Sequence, residues 1–222
     1  SLATPPAPVR TEVVVAVTAS MELLTFNAGQ PARILQRTPI TGLPAGDALV
    51  GIDYRVARGV LYALSQAGRL YTLDAASGAL QPVGAGAALG LPQGAFGMDF
   101  NPTVDRIRVV GPGGLNLRLH PDTGAQVDGD AAQSGVQPDG ALHYAADDAH
   151  AGQRPDIVAA AYTYNTRNEQ LTTNYAIDRR QGMLVMQGSL EDTVPVVSPN
   201  TGVLAVVEVK RRRILGKPGE AP

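Results

Sequence analysis

Two stretches of this chain say almost the same thing. "GIDYRVARGVLYALSQAGRLYTLDAASG" (51–78) is matched at one constant offset, and without a gap, by "GMDFNPTVDRIRVVGPGGLNLRLHPDTG" (97–124). Gly51, Asp53, Gly68, Leu73 and Gly78 recur as Gly97, Asp99, Gly114, Leu119 and Gly124. The apolar positions Ile52, Tyr54, Leu61 and Leu64 recur as Met98, Phe100, Ile107 and Val110. Such self-similarity is the signature of one supersecondary unit used repeatedly, each copy burying its apolar faces against the next.

The unit reads as short strands. In the first of these copies "LVGIDY", "GVLYALS", "RLYTLD" and "ALQPV" are apolar bursts separated by "RVAR", "QAG" and "AASG". Gly, Ser and charge between short apolar runs mark hairpin connections. The alternation through Leu70, Tyr71, Thr72 and Leu73 fits a half-buried strand. Gly78 and Gly124 close the turn after the third strand, where a positive φ is expected.

Two weaker copies flank these. "EVVVAVT", "ELLTFN" and "ARILQRT" precede them; "IVAAAYTYN", "LTTNYAID" and "GMLVMQG" follow and match the second to fourth elements. A marker residue after one strand of each copy is Asn27, Asp74, His120 and Asp178. The last spacing is lengthened by an insertion at 128–156. Counting bursts gives about sixteen strands, or four sheets of four, which is the arithmetic of a propeller. The expected fold is therefore all-β and propeller-like: about four repeats of four short antiparallel strands, in a ring that is either closed in a monomer or incomplete and completed by another subunit. Residues 1–11 form a Pro-rich leader, 12–209 a single domain carrying the insertion, and 210–222 a basic, Pro/Gly-containing tail.

Composition excludes several functions. No cysteine is present, so disulfides, thiolate metal sites and cysteine nucleophiles are ruled out. A formal net charge of −2 gives no field to recruit nucleic acid. No apolar run approaches the ~20 residues of a membrane-spanning helix. "GPGGLN" lies between strands rather than before a helix, so it is a hairpin and not a phosphate loop. No serine sits in a nucleophile elbow.

The segment "PDIVAAAYTYNTRNEQLTTNYAIDRRQGMLVMQG", with the later "VSPNTGVLAVV", resembles the bacterial family catalogued as domain of unknown function 4394. "FGMDFNPTVDRIRVVGPGGLNLRLHPDTG" is similar to that family's G-D-F-N-P…D-R-I-R-V-V…N-x-R segment. The resemblance implies a β-rich, often exported module, and it supplies no catalytic residues. Family members continue past "SPNTG-x-L" with another repeat, whereas this chain runs into "VEVKRRRILGKPGEAP". That departure implies a ring short of a blade, or one completed by a homo-oligomer or a partner protein. The apolar strand "VVVAV" (13–17) is expected to be buried, and the basic run Lys210–Arg213 would suit an acidic surface.

The candidate chemistry is metal chemistry. Of three histidines, His143 and His150 lie in the insertion with Asp147 and Asp148 between them, and His120 stands at a marker position. Imidazole with carboxylate suits copper or zinc, although this spacing is not that of a strand or helix pair. The acids of the insertion, and "DTGAQVDGD" in particular, have the oxygen-rich character of a calcium loop without its ligand order. The leading expectation is an extracytoplasmic assembly or binding module of a bacterial envelope. The alternative is a metal-dependent enzyme, such as a superoxide dismutase, built on His143, His150, Asp147, Asp148 and His120.

Overall fold

The computed structural model describes residues 9–85 and 88–207, so the tail at 210–222 and most of the leader lie outside the described residues. The protein is all-β. Four sheets follow one another along the chain. The first holds β1 (Val13–Val17), β2 (Glu22–Asn27) and β3 (Ile34–Pro39). The second holds β4 (Leu49–Arg55), β5 (Val60–Ser65), β6 (Leu70–Leu73) and β7 (Leu80–Pro82). The third holds β8 (Gly97–Asn101), β9 (Arg106–Gly111) and β10 (Leu115–Leu119). The fourth combines β11 (His143–Tyr144) with β12 (Ile157–Tyr162), β13 (Asn174–Asp178), β14 (Met183–Gln187) and β15 (Val203–Val206). Consecutive strands pair antiparallel, whereas β11 joins β15 in parallel. No helix among the described residues is long and apolar enough to cross a membrane.

Each pair of neighbouring sheets shares a core. Leu61 and Ala63 of β5 point towards the first sheet and pack with Leu23. Tyr62 and Leu64 point the other way, onto Met98, Phe100 and Ile107 of the third. Val110, Ile157, Val185 and Leu204 fill the space between the third and fourth sheets. Side chains alternate across a strand, so a strand covered on both faces needs both of its sets apolar. That is why "VLYALS" and "IRVV" are nearly continuous rather than alternating. The first strands β4, β8 and β12 lie side by side and carry one sheet onto the next.

Three details depart from the sequence expectation. The last copy is displaced by one element, since "IVAAAYTYN", "LTTNYAID" and "GMLVMQG" supply the first to third strands and β15 the fourth. The insertion is only partly an exposed loop, because its Asp139, Leu142 and Tyr144 are buried and β11 adds a strand to the fourth sheet. The strand "VVVAV" is not fully buried: Val13 is 63% exposed and the rest half-buried. β2 and β3 ("TFN…ARILQRT") are the sequence counterparts of β6 and β7 ("TLD…ALQP"). The place that β4 holds in the second sheet therefore has no occupant in the first among the described residues, and β1 keeps a free edge beside β4.

The markers have one job. The side chains of Asn27, Asp74, His120 and Asp178 each accept the backbone N–H two residues on, at 2.8, 2.8, 3.2 and 2.9 Å. These are turn-closing bonds at strand ends, of the kind Asn and Asp make readily.

Gly78 and Gly124 both have positive φ, +74° and +70°. Their surroundings differ. A Cβ on Gly78 would lie 2.2 Å from the Pro39 carbonyl of the first sheet, while the nearest atom at Gly124 is 3.4 Å away. Gly124→Ala should therefore cost about 1 kcal/mol, the backbone penalty alone, and Gly78→Ala about 3 kcal/mol or more, because two sheets must part. Urea unfolding midpoints of the two variants check the order; equal midpoints would refute it.

Candidate functional site

The sequence-predicted metal residues are placed as follows. His143 opens β11, exposed, and its Nδ1 donates to the Ala141 carbonyl at 2.8 Å. His150 packs its ring on Tyr144, with centroids 5.4 Å apart, and its Nδ1 lies 3.3 Å from Asp148. The other Asp148 oxygen accepts the Val206 N–H at 2.9 Å, tying the insertion to β15. Burial pushes the Asp148 carboxyl up, but the N–H groups of Val206 and His150 outweigh it and hold the group below its ordinary range. Asp147 is exposed. His120 uses Nδ1 to accept from the Asp122 N–H. Among the described residues, no three His, Asp or Glu side chains are gathered as a metal ligand set.

The acids suggested for calcium are engaged elsewhere. Asp122 pairs with Arg55, which holds its carboxyl down. One Asp128 oxygen accepts the N–H groups of Asp130 and Gln137, and Asp130 caps Ala132. Asp156 pairs with Arg179.

What the fold does bring together is two buried arginine centres, one at each interface of the third sheet. Arg55 ends β4 and is 3% exposed. It grips Asp105 of the β8–β9 turn with two nitrogens, at 3.0 and 2.6 Å, and reaches Asp122 at 2.6 Å and the Tyr62 hydroxyl at 3.2 Å. Arg108 of β9 is 2% exposed and lies between the third and fourth sheets. It donates to Asp139 at 2.6 Å, to Asn116 at 2.9 Å, to the Tyr162 hydroxyl at 3.2 Å and to Asn200. Arg118 of β10 closes on the same Asp139 with two bonds of 2.8 Å. A buried guanidinium needs this degree of satisfaction, since a charge left unpaired there costs several kcal/mol.

A third centre is acidic. Asp53 of β4 accepts the Phe100 N–H of β8 at 2.6 Å, and Asp99 of β8 accepts the Tyr162 N–H of β12 at 2.7 Å. The repeated Asp is thus a clasp from each first strand to the next; the following counterpart is Ala161. The two carboxyls also face each other. Burial first, and then the neighbouring Asp53, push Asp99 up to about 8, and burial raises Asp53 as well. In its protonated form Asp99 can donate to Asp53. Both acids stand out in the sequence as a repeated pair, but nothing in their spacing tells that successive copies touch through them.

Below Arg108 opens a cleft of about 400 Å³, lined by Asn101, Arg106, Arg108, Arg118, Tyr162 and Asn200 among others. It lies on the face that carries the β8–β9 turn and the β14–β15 connection.

The sequence matches the family model described as "Domain of unknown function (DUF4394)" over residues 22–211. The chain belongs to this family. Asp105, Arg108, Asn116, Arg118, Ser198 and Asn200, which lie in the segments that resemble the family, are members or neighbours of the buried arginine centres. Among curated proteins, none matches this sequence. Among solved structures, the chain is similar to one described as the crystal structure of BBS1N in complex with ARL6DN, soaked with mercury. That match has 16% identity and a TM-score of 0.39, over 85% of this chain and 52% of the other. This DUF4394 chain thus spans about half the length of the chain it matches there.

Proposed function

We propose that this DUF4394 chain is a non-enzymatic, propeller-like binding and assembly module of a bacterial cell envelope, working outside the cytoplasm. One observation carries the reading: apart from Asp178, which bonds within the fourth sheet and its insertion, the charged groups buried among the described residues hold one repeat to the next. Arg55, Arg108, Asp139, Asp53 and Asp99 each bridge neighbouring repeats. A scaffold reading requires that, whereas a catalytic centre needs reactive groups facing an open cleft. The propeller-like arrangement is supported by four sheets in chain order that share faces through consecutive first strands. A protein partner or a second copy is supported by the edge of β1 that is free among the described residues, because an unpaired strand edge is a template for further pairing.

The test uses protein purified without a histidine tag. Elemental analysis is expected to find no stoichiometric copper, zinc or calcium, and superoxide dismutation is expected at the buffer rate. Light scattering is expected to give a mass above the 23.1 kDa of one chain. Bound copper or zinc with dismutase activity, both lost in His143→Ala/His150→Ala, would replace this reading with the metalloenzyme.

A further inference from the structure

The cleft beneath Arg108 has a one-sided hydrogen-bonding character. The oxygens of its polar lining are already accepting. Asn101 Oδ1 takes the Thr103 N–H and hydroxyl at 2.9 and 2.8 Å. Asn200 Oδ1 and the Tyr162 oxygen take Arg108, and Ser198 Oγ takes the Asn200 N–H at 3.2 Å. What these groups chiefly have left to offer is donors, the Asn101 and Asn200 amides and the Tyr162 and Ser198 hydroxyl protons, with one further lone pair on each hydroxyl oxygen and on Asn200 Oδ1. Arg106 adds more. Its only side-chain bond among the described residues is to the Asp105 carbonyl at 3.0 Å, and no carboxylate there pairs with it. Arg118 also keeps a nitrogen, since its Asp139 bonds use only Nε and Nη2.

Charge points the same way. Among the described residues, Arg106, Arg108 and Arg118 all line the cleft, and no Asp or Glu does. One buried carboxylate, Asp139, is shared between Arg108 and Arg118. Among the described residues, three guanidinium groups at the cleft thus share one carboxylate. The positive charge is also preorganised, because Arg108 and Asp139 are fixed by burial and cannot turn away to solvent. The space of about 400 Å³ exceeds what a bare ion fills and falls within the usual range for small-molecule sites.

We propose that this cleft binds a small, acceptor-rich anion of the acidic-sugar class, its oxyanion seated on Arg106 and Arg118 and its hydroxyl oxygens on Asn101, Asn200, Tyr162 and Ser198. The oxyanion is a carboxylate or a phosphate; guanidinium pairs with either through charge-assisted bonds. The assignment deepens the binding-module reading and rests on it.

Isothermal titration with glucuronate, glucose 6-phosphate, glucose and inorganic phosphate tests it. At least one of the two acidic sugars should bind, and the one that binds tells carboxylate from phosphate. Glucose should not bind, and inorganic phosphate should bind more weakly than the acidic sugar. Arg106→Gln should weaken binding about ten-fold or more, the effect of losing a charge-assisted bond. Val104→Glu places a carboxylate at the rim, on a residue 57% exposed, and should weaken binding comparably without touching the buried network. Arg179→Gln, at an exposed pair outside the cleft, should change nothing. Failure of both acidic sugars, equal binding of glucose or of inorganic phosphate, or indifference to both cleft variants would overturn the proposal. None of these results would alter the metal analysis or the light-scattering mass, so the broader reading is judged separately.

Discussion

Arg108→Ala should come close to unfolding the protein. Arg108 sits at 2% exposure and donates to side chains from three directions: Asn116 on its own sheet, Asp139 of the insertion, and Tyr162 and Asn200 of the fourth repeat. Truncation leaves Asp139, at 1% side-chain exposure, with Arg118 alone, and it leaves amide and hydroxyl groups facing an empty space. Breaking a buried ion pair from one side costs about 3–5 kcal/mol, a large share of the ~5–15 kcal/mol that holds a domain folded. Arg118→Ala should cost less, because Arg118 is partly exposed and Asp139 would keep the better-buried partner. Arg10→Ala, at an exposed pair with Glu12, should leave the unfolding midpoint where it is. Urea denaturation followed by far-ultraviolet circular dichroism ranks the three, and a wild-type midpoint for Arg108→Ala would remove the network from the account of stability.

The same residue shows where sequence reading stops. The repeat was plain at the level of letters, because glycines at turns and apolar pairs on strands are dictated locally. Tyr62 and Arg108 hold the same place in successive copies, yet one is a core aromatic and the other a core cation. Nothing local announces that difference. It depends on Asp139 arriving from an insertion whose Asp, Gly and Gln content reads as solvent-facing loop. The displaced last copy has a similar cause: Asp178 closes a turn as Asp74 does, but at the end of a second strand rather than a third. Turn chemistry is local and does not count strands. The apolar composition of β1 alone implies burial, but burial depends on a neighbour that composition does not supply. The histidines show the same limit from another side. His120 and His143 each bond nearby backbone through Nδ1, and neither bond is announced by the spacing of the residues.

Raising the pH from about 5 to about 9 should lower the melting temperature, and Asp99→Asn should abolish most of that fall. Asp99 has a folded pKa pushed up to about 8 from an ordinary 3.8, and Asp53 is raised with it. Between those limits the folded protein holds a proton that the unfolded chain releases, so stability declines as pH rises through the window. The effect is bounded at roughly 5 kcal/mol, or about 10 °C or more in melting temperature for a domain of this size. At the acid end the sign reverses. Asp122 and Asp178 are held below their ordinary range, Asp122 by Arg55 and Asp178 by bonds from Tyr144 and backbone N–H groups that outweigh its burial, so their contribution is lost as pH falls below about 4. Stability should therefore peak near pH ~4, where the two trends cross. Asparagine at position 99 reproduces the protonated acid: its oxygen can accept the Tyr162 N–H and its amide can donate to Asp53. The variant should match the wild type near pH 5 and exceed it near pH 9, an unusual direction for a substitution at a half-buried polar site. Melting curves of the two proteins across that range decide it. A variant that is destabilised equally at both ends would show that Asp99 is ionised in the native clasp and that the two repeats are joined without a shared proton.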